Sequence, residues 1–552
     1  MRTLALMLPL ALAVAQPPAP TEPIDPKKLG AIEGKVTNGI TGEAQRRVNL
    51  TLRPTFMQMG TSGAPTPYAA VTDAEGKFRI ERIDPGTYTM QAEKQGFVRQ
   101  SYNTRQTLGP NTPIVITAGM EMKEVNFKLT PHSIVTGRIL DDEGEPLAGI
   151  MIQVLRSVRM QGKQQMAPVG GGQSLDTGEF RIANLSPGRY WLSATDRNRR
   201  MMMGDAPARN TSDKPEEELV TTYYPSSTDQ AGARPIELAA GQTLNAIDIR
   251  MKRAPVYRIR GKVEGPPPFR NYRVMLMPRE RTQFSSTFFN NSVMVKEDGS
   301  FELGGTAPGA YEIAVTPGNA MMRILGRTPV DVARDHVENI VVAVVPAITL
   351  RGQIRVDGEF EGSFSTTRIM LNTENFMFNN PNAAADEKGT FTLENASPEK
   401  YRLAITGLPQ GLWLKSIQSG GNEITDSGLD LSSGASGPIE IILGVGTGTL
   451  TGTVMDAKQQ PAGGIFVTLI PDPLKEHRFD LFRSVPSNQN GQFTLTNLPP
   501  GEYKLYAWDT NEPPAFMDPA ITKPYETRAK RITIKPGSSE QVTLTAITPT
   551  EK

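Results

Sequence analysis

The chain has no cysteine in 552 residues. Disulfides, thiolate catalysis and cysteine–zinc sites are therefore excluded, as is a lipid anchor attached through a cysteine. Histidine is almost as scarce: His132, His336 and His477 lie far apart, with no His-Glu-x-x-His pattern. A hydrolytic zinc centre needs clustered imidazole and carboxylate ligands, and this spacing offers none. Neither a Gly-x-Ser-x-Gly elbow nor a phosphate-binding loop is present, and no Ser-His-Asp set assembles by spacing. The formal charge of +1 gives no electrostatic bias toward nucleic acid. Sustained helical periodicity is missing too. Beyond the first residues the longest apolar run is 340–345, which ends at Pro346 and is far too short to cross a bilayer. These absences leave no cofactor to expect and no enzyme class to favour.

Arg2 followed by the apolar run 4–14, with Ala13-Val14-Ala15 fitting the small-x-small cleavage rule, predicts a signal peptide over residues 1–15. A proline-rich leader, 16–29, follows. The expected destination is the periplasm, the cell surface or the medium, with no transmembrane anchor beyond the signal.

The chain is organised around a cassette present five times, starting at Gly76, Gly178, Gly299, Gly389 and Gly491. Each begins Gly-x-Phe. Proline follows nine residues after the glycine (Pro85, Pro187, Pro308, Pro398, Pro500) and tyrosine twelve after it (Tyr88, Tyr190, Tyr311, Tyr401, Tyr503). A fixed spacing with variable filler is a structural repeat. The glycine, preceded by acidic residues as in Asp73-Ala-Glu-Gly76, reads as a hairpin turn in which glycine supplies a positive φ. Alternation of Phe78 with Ile80, or Phe493 with Leu495, predicts a strand with one buried face. Pro-Gly then predicts a tight turn with its glycine left-handed, and the tyrosine opens the return strand. In the fourth copy, Pro398-Glu399 predicts a type I or open turn instead.

Each cassette sits in a longer unit that opens with Gly-x-Val or Gly-x-Ile at Gly34, Gly137, Gly261, Gly352 and Gly452 and closes with a strand reached through a glycine turn. Short strands separated by Gly, Pro and Asp turns mean β-sandwiches, and units of about 100 residues can each bury a core. The predicted modules are 30–130, 131–252, 253–346, 347–445 and 446–549. In the second, strands are expected at 135–140, 150–156, 179–185, 190–195, 235–238 and 246–251. Short, proline-containing joints predict a semi-rigid row whose five modules in line would reach on the order of 150 Å. Insertions rich in Met or Phe precede each Gly-x-Phe: Phe56-Met-Gln-Met59, residues 160–166, Phe288-Phe-Asn-Asn291, Phe376-Met-Phe-Asn-Asn380 and Phe479-Asp-Leu-Phe482. Another, 197–225, holds Met201-Met-Met203 and Tyr223-Tyr-Pro225. Self-packing and adhesive tips are both open to them.

The run Gly137-Arg-Ile-Leu-Asp-Asp-Glu-Gly-Glu-Pro-Leu-Ala-Gly149, joined to Leu185-Ser-Pro-Gly-Arg-Tyr190, resembles the carboxypeptidase regulatory-like domain, and the fifth unit matches nearly as well. The stretch Tyr223-Tyr-Pro-Ser-Ser-Thr-Asp229 is similar to secreted multi-domain bacterial members of this group. The resemblance implies an all-β chain of five tandem transthyretin-like (prealbumin-like) β-sandwiches, related to collagen-adhesin B-type domains and grouped with carbohydrate-binding-like folds. In the namesake enzymes the domain is an accessory to a separate peptidase domain, which this chain lacks. Fold alone does not fix function.

Three aromatic residues are the candidate ligand site. Trp508 and Tyr506 alternate against Leu505 and Ala507, and Trp191 against Tyr190 and Leu192, so all three should face outward. Exposed rings are the flat platforms that sugars use, and packing between modules or under a loop is the structural alternative. Collagen-adhesin B-type domains carry Lys–Asn isopeptide bonds beside a buried acid, and Lys35, Glu81 and Asn126 stand near matching places. Alternation turns all three outward, against that reaction, which needs a buried site. Asp141-Asp-Glu-Gly-Glu145 reads as a turn and lacks the register of a calcium loop. The expected function is non-catalytic binding or adhesion, with a carbohydrate or peptide ligand. The alternative is a spacer or scaffold whose partner is another protein of the cell envelope. A hydrolase rests on the family name alone.

Overall fold

The computed structural model describes residues 28–55, 66–103, 111–160, 163–196, 216–279, 291–318, 323–373, 380–434, 437–475, 477–510 and 518–549. The predicted signal peptide, most of the leader, Phe56–Met59, 201–203 and most of the insertions around 288 and 376 lie outside the described residues.

The chain is all-β, a series of sandwiches that share one plan. In the first sheet of each module the opening strand lies between the cassette strand and the closing strand. In the fifth, Gly448–Met455 pairs antiparallel with the cassette strand Gln492–Leu498 and parallel with the closing strand Ser539–Thr545. In the fourth, Ile348–Asp357 stands likewise between Thr390–Ala396 and Ile439–Val445. The second sheet centres on the return strand: Gly501–Trp508 lies between Phe466–Pro471 and Lys530–Ile534. Five clusters of buried side chains fill these sandwiches, each drawn from one unit. The cassette residues supply their centres: Phe78, Phe180, Phe301, Phe391 and Phe493 are all at most 5 % exposed.

Register explains why two separate glycine motifs recur together. The opening glycine faces the cassette phenylalanine across the antiparallel ladder in every module: Gly34 with Phe78, Gly137 with Phe180, Gly261 with Phe301, Gly352 with Phe391, Gly452 with Phe493. In four of the five the ring lies directly over the glycine, and a Cβ there would come within 2.2–3.0 Å of it. Every opening glycine is also pressed by a carbonyl oxygen at the closing strand, 2.0–2.7 Å from where a Cβ would stand.

The cassette turns differ in part from expectation. The five Gly-x-Phe glycines do have positive φ, between +73° and +87°. Asp73 caps its hairpin by accepting the Glu75 and Lys77 amides at 3.0 and 2.7 Å; Asp386 and Asn488 do the same. The Pro-Gly glycine, however, is not the general left-handed residue, since Gly86 and Gly309 have no positive φ. That conformation falls six residues after the Gly-x-Phe glycine, at Arg82, Asn184, Gly305, Asn395 and Asn497, with φ from +54° to +64°. Each marks a β-bulge where the register to the opening strand slips. The proline corner is closed by the tyrosine instead. The Tyr88, Tyr190, Tyr311 and Tyr503 hydroxyls donate to the carbonyls of Asp84, Ser186, Ala307 and Pro499 at 2.7, 2.7, 3.0 and 2.9 Å. In the fourth copy, with Glu399 after the proline, the polarity inverts and the Ser397 amide donates to the Tyr401 hydroxyl at 2.9 Å.

In the second unit the strands stand close to their predicted places, from Ser133–Leu140 to Ile236–Leu238. The stretch containing Met166 is a strand, Lys163–Gln173, paired along Met151–Met160. Segment Glu216–Val220, from the same unit, joins the sheet of the next one by pairing with Lys252–Glu264.

The modules do not stand in an open row. The third and fourth meet where Arg327 pairs with Glu399 at 3.1 Å and the Ser397 hydroxyl donates to the Ile324 carbonyl at 2.7 Å. The fourth and fifth meet at Arg478, which donates to the Leu414 carbonyl at 2.8 Å. The fifth then reaches the first, through Gln489 and Val115. The expectation of an extended reach fails because polar contacts at the joints, and not linker stiffness alone, set the arrangement.

Candidate functional site

The candidate platform lies on the return strand of the fifth module, and alternation does place Trp508 and Tyr506 away from the sandwich core. Leu505 and Ala507 belong to that core, while Tyr506 and Trp508 join a second cluster with Phe466, Ile470, Phe482 and Ile547. Yet Trp508 is only 1 % and Tyr506 only 3 % exposed. The outward expectation is corrected here: both faces of this strand are covered. The short helical turn Lys523–Arg528 packs on it through Tyr525, and Ile547 closes the edge.

The geometry inside this second cluster is that of a packed core. The Tyr506 and Trp508 rings stack at 5.0 Å with 13° between planes, and Tyr525 meets Trp508 edge-on at 5.4 Å and 89°. The indole Nε1 donates to the Thr468 hydroxyl at 2.8 Å, which satisfies the one polar atom that burial would otherwise penalise. Lys504 pins the covering segment by pairing with Glu526 at 2.7 Å and with Asp472 at 3.0 Å. The hydrogen bonds it donates to those two carboxylates hold its ammonium above the ordinary lysine range, and Lys504 in turn holds Glu526 below the ordinary glutamate range. Burial raises the Tyr506 phenol.

Trp191 lies in another module and is not brought near the pair. It is half-buried against Leu155, Met166 and Tyr223, with the Arg189 guanidinium over its ring at 5.4 Å. One open ring with a cation above it is what remains of the platform. The third tryptophan, Trp413, escaped notice in the sequence; it is half-buried and lies over Gly444, where a Cβ would meet its indole at 2.5 Å.

Lys35, Glu81 and Asn126 are all exposed. Asn126 accepts a hydrogen bond from the Lys35 backbone amide at 2.9 Å. Glu81 pairs with Arg79 at 2.6 Å, and Arg79 also reaches Glu33 at 2.6 Å and Glu121 at 3.3 Å. These carboxylates raise the guanidinium further above its ordinary range. The acid is thus engaged by a surface cation and sits in water, not in the dry site that an amide-forming reaction needs.

Among the described residues no group of three or more His, Asp or Glu side chains could hold a metal ion. Asp141 caps its own turn by accepting the Glu143 and Glu145 amides at 3.0 and 2.8 Å. His336 accepts from the Arg258 amide at 3.0 Å, and burial lowers His132 below the ordinary histidine range.

The most buried charged side chain that the sequence did not single out is Arg478, 6 % exposed. It forks onto Asp480 with two contacts of 2.8 Å and spans the joint to Leu414. The neighbouring Phe479-Asp-Leu-Phe482 insertion packs mainly on its own module, with Leu481 and Phe482 buried and Phe479 44 % exposed.

The model of the carboxypeptidase regulatory-like domain matches residues 31–130, the first module. No curated protein matches the chain. Among solved structures, the Bacillus anthracis TIE protein is similar at 10 % identity, covering 93 % of this chain and 72 % of its own, with a TM-score of 0.15. The minor pilin GBS52 of Streptococcus agalactiae is 12 % identical over 41 % of this chain and 97 % of its own, at a TM-score of 0.24. BcpA, the major pilin subunit of Bacillus cereus, is 14 % identical over 58 % of this chain and 100 % of its own, at a TM-score of 0.14.

Proposed function

We propose that this tandem array, whose first module matches the model of the carboxypeptidase regulatory-like domain, is an exported, non-catalytic scaffold of the cell envelope that acts through protein–protein contacts. One observation carries the reading. The aromatic pair that would make a sugar platform, Tyr506 and Trp508, is packed inside the fifth module. The remaining chemistry is that of a contact-making chain, with buried polar groups such as Arg478 and Ser397 placed at the joints between sandwiches. The signal peptide expected over residues 1–15 supports export.

The test is crosslinking with mass spectrometry in the native envelope, run beside a glycan array on the purified chain. A scaffold gives reproducible protein partners and no retention on polysaccharide. Reproducible glycan retention, with no protein crosslinks, overturns it.

A second reading, glycan or peptide binding, is favoured by Trp191, whose half-open ring carries Arg189. A platform of this kind loses its ligand in Trp191→Ala while the fifth module keeps its stability. Trp508→Ala does the reverse under the scaffold reading: it destabilises and leaves binding unchanged.

A further inference from the structure

We infer that the two ends of the described array are clasped to each other in solution, with Gln489 of the fifth module closing on the edge of the first.

Two hydrogen bonds carry the clasp. The Gln489 side chain accepts from the Val115 amide at 3.0 Å and donates to the Val115 carbonyl at 2.9 Å. Val115 sits in Ile114–Ile116, a strand paired on one side with Gly86–Glu93. An edge strand presents unpaired amides and carbonyls. The carboxamide of Gln489 has one donor face and one acceptor face, so it reads a single peptide of that edge as a neighbouring strand would.

The surroundings are shaped to the contact. Gly463 and Gly464 lie beside the first module. A Cβ on Gly464 would stand 2.7 Å from the Thr112 hydroxyl and 3.2 Å from the Asn103 carbonyl oxygen. Thr112 is fully buried.

The repeat supplies an independent argument. Gln489 occupies the position two residues before the Gly-x-Phe glycine. The other four modules carry Ala74, Asp176, Glu297 and Glu387 there. None of those side chains can both accept from an amide and donate to a carbonyl at neutral pH. Only the fifth cassette has the side chain the clasp requires, on a turn that folds with several residue types. The pairing partner is more than three hundred residues away, yet it is on the same chain, and tethering raises its effective concentration.

The experiment uses the whole chain. Because it has no cysteine of its own, Thr117→Cys and Asn490→Cys, both exposed positions flanking the clasp, take a spin-label pair without other changes. A clasped chain gives one narrow, short distance that is unchanged by dilution with unlabelled protein. Gln489→Ala and Gln489→Glu place in the fifth module the residues that the first, third and fourth use at this position, so its turn still forms. Both broaden and lengthen the distribution; the glutamate acts more strongly, because its carboxylate faces the Val115 carbonyl. A broad, long distribution in the parent chain overturns the inference. So does a short distance that both Gln489 variants leave intact, or one that disappears on dilution with unlabelled chain and therefore links separate copies.

Discussion

Gly352→Ala tests the pairing of glycine and phenylalanine on which every module is built. The φ of Gly352 lies outside the left-handed region, so alanine meets no backbone strain and the whole cost is steric. Its Cβ would stand 2.2 Å from Phe391 Cζ and 2.7 Å from the Ile439 carbonyl oxygen. Phe391 is 2 % exposed and cannot swing into water. The Ile439 carbonyl belongs to the parallel ladder with the opening strand. Either the ring leaves its rotamer or the ladder opens. Overpacking of this kind costs about 1–3 kcal/mol. Phe391→Leu by itself removes buried ring atoms and destabilises, but it clears the first of the two obstructions. In the double variant the costs are therefore less than additive, by ~1 kcal/mol, within the range of coupling between touching residues. Gly137→Ala is the control. The three atoms nearest its Cβ are all Ile247 backbone, at 2.1–3.0 Å, so Phe180→Leu gives little relief there. Denaturant titration read by hydrogen exchange on peptides from each module resolves the effects. Gly352→Ala at parental stability, or additive costs in the double variant, refutes the reasoning.

Leu175 is 64 % exposed where Asp73, Asp386 and Asn488 cap the equivalent turns; Leu175→Asp supplies the missing acceptor and raises the stability of the second module by about 1 kcal/mol, read as a higher denaturation midpoint. Asp480→Asn leaves the Arg478 guanidinium buried without its counter-charge. Because Asp480 is 30 % exposed, the cost is about 2 kcal/mol rather than the 3–5 kcal/mol of a fully buried pair, and exchange rises on both sides of the joint. Burial pushes Tyr401 and Tyr503 up to about 12, above the value of about 10 of an unfolded tyrosine. Below pH 10 both states keep the proton and the contribution is fully present; as pH rises from 10 toward 12 the unfolded chain ionises first and stability falls. Tyr401→Phe and Tyr503→Phe flatten that alkaline slope in chemical denaturation, and an unchanged slope refutes the assignment.

The cassette could be read from sequence because its signals are local. Phe493 and Leu495 alternate within one strand, and Gly491 needs only its own turn. The bulge at Asn184, Asn395 and Asn497 was visible as recurring asparagine, but a bulge breaks the period on which strand reading depends, so it passed as filler. Alternation found the right face for Trp508 and stopped there. What covers that face, Tyr525 and Ile547, comes from a segment outside the repeat, and no periodicity within 501–508 reports a neighbour that distant. Arg478 and Gln489 were silent for the same reason: a joint is a property of two modules, while the pattern describes one.

The opening and closing strands of each module are adjacent and parallel, in seven registered pairs in the fifth and six in the fourth. Parallel neighbours that begin and end a module put the chain's entry and exit at opposite ends of the sandwich. Tension along the chain therefore draws these two strands past each other lengthwise, and their hydrogen bonds share the load together rather than opening one at a time as a hairpin does. The second module, whose opening strand has two parallel pairs with each of two partners, should yield before the first, with two and three, and well before the fourth or fifth. Once the Gln489 clasp has opened, the array would then lengthen under force in steps from its second module, with its last modules holding longest.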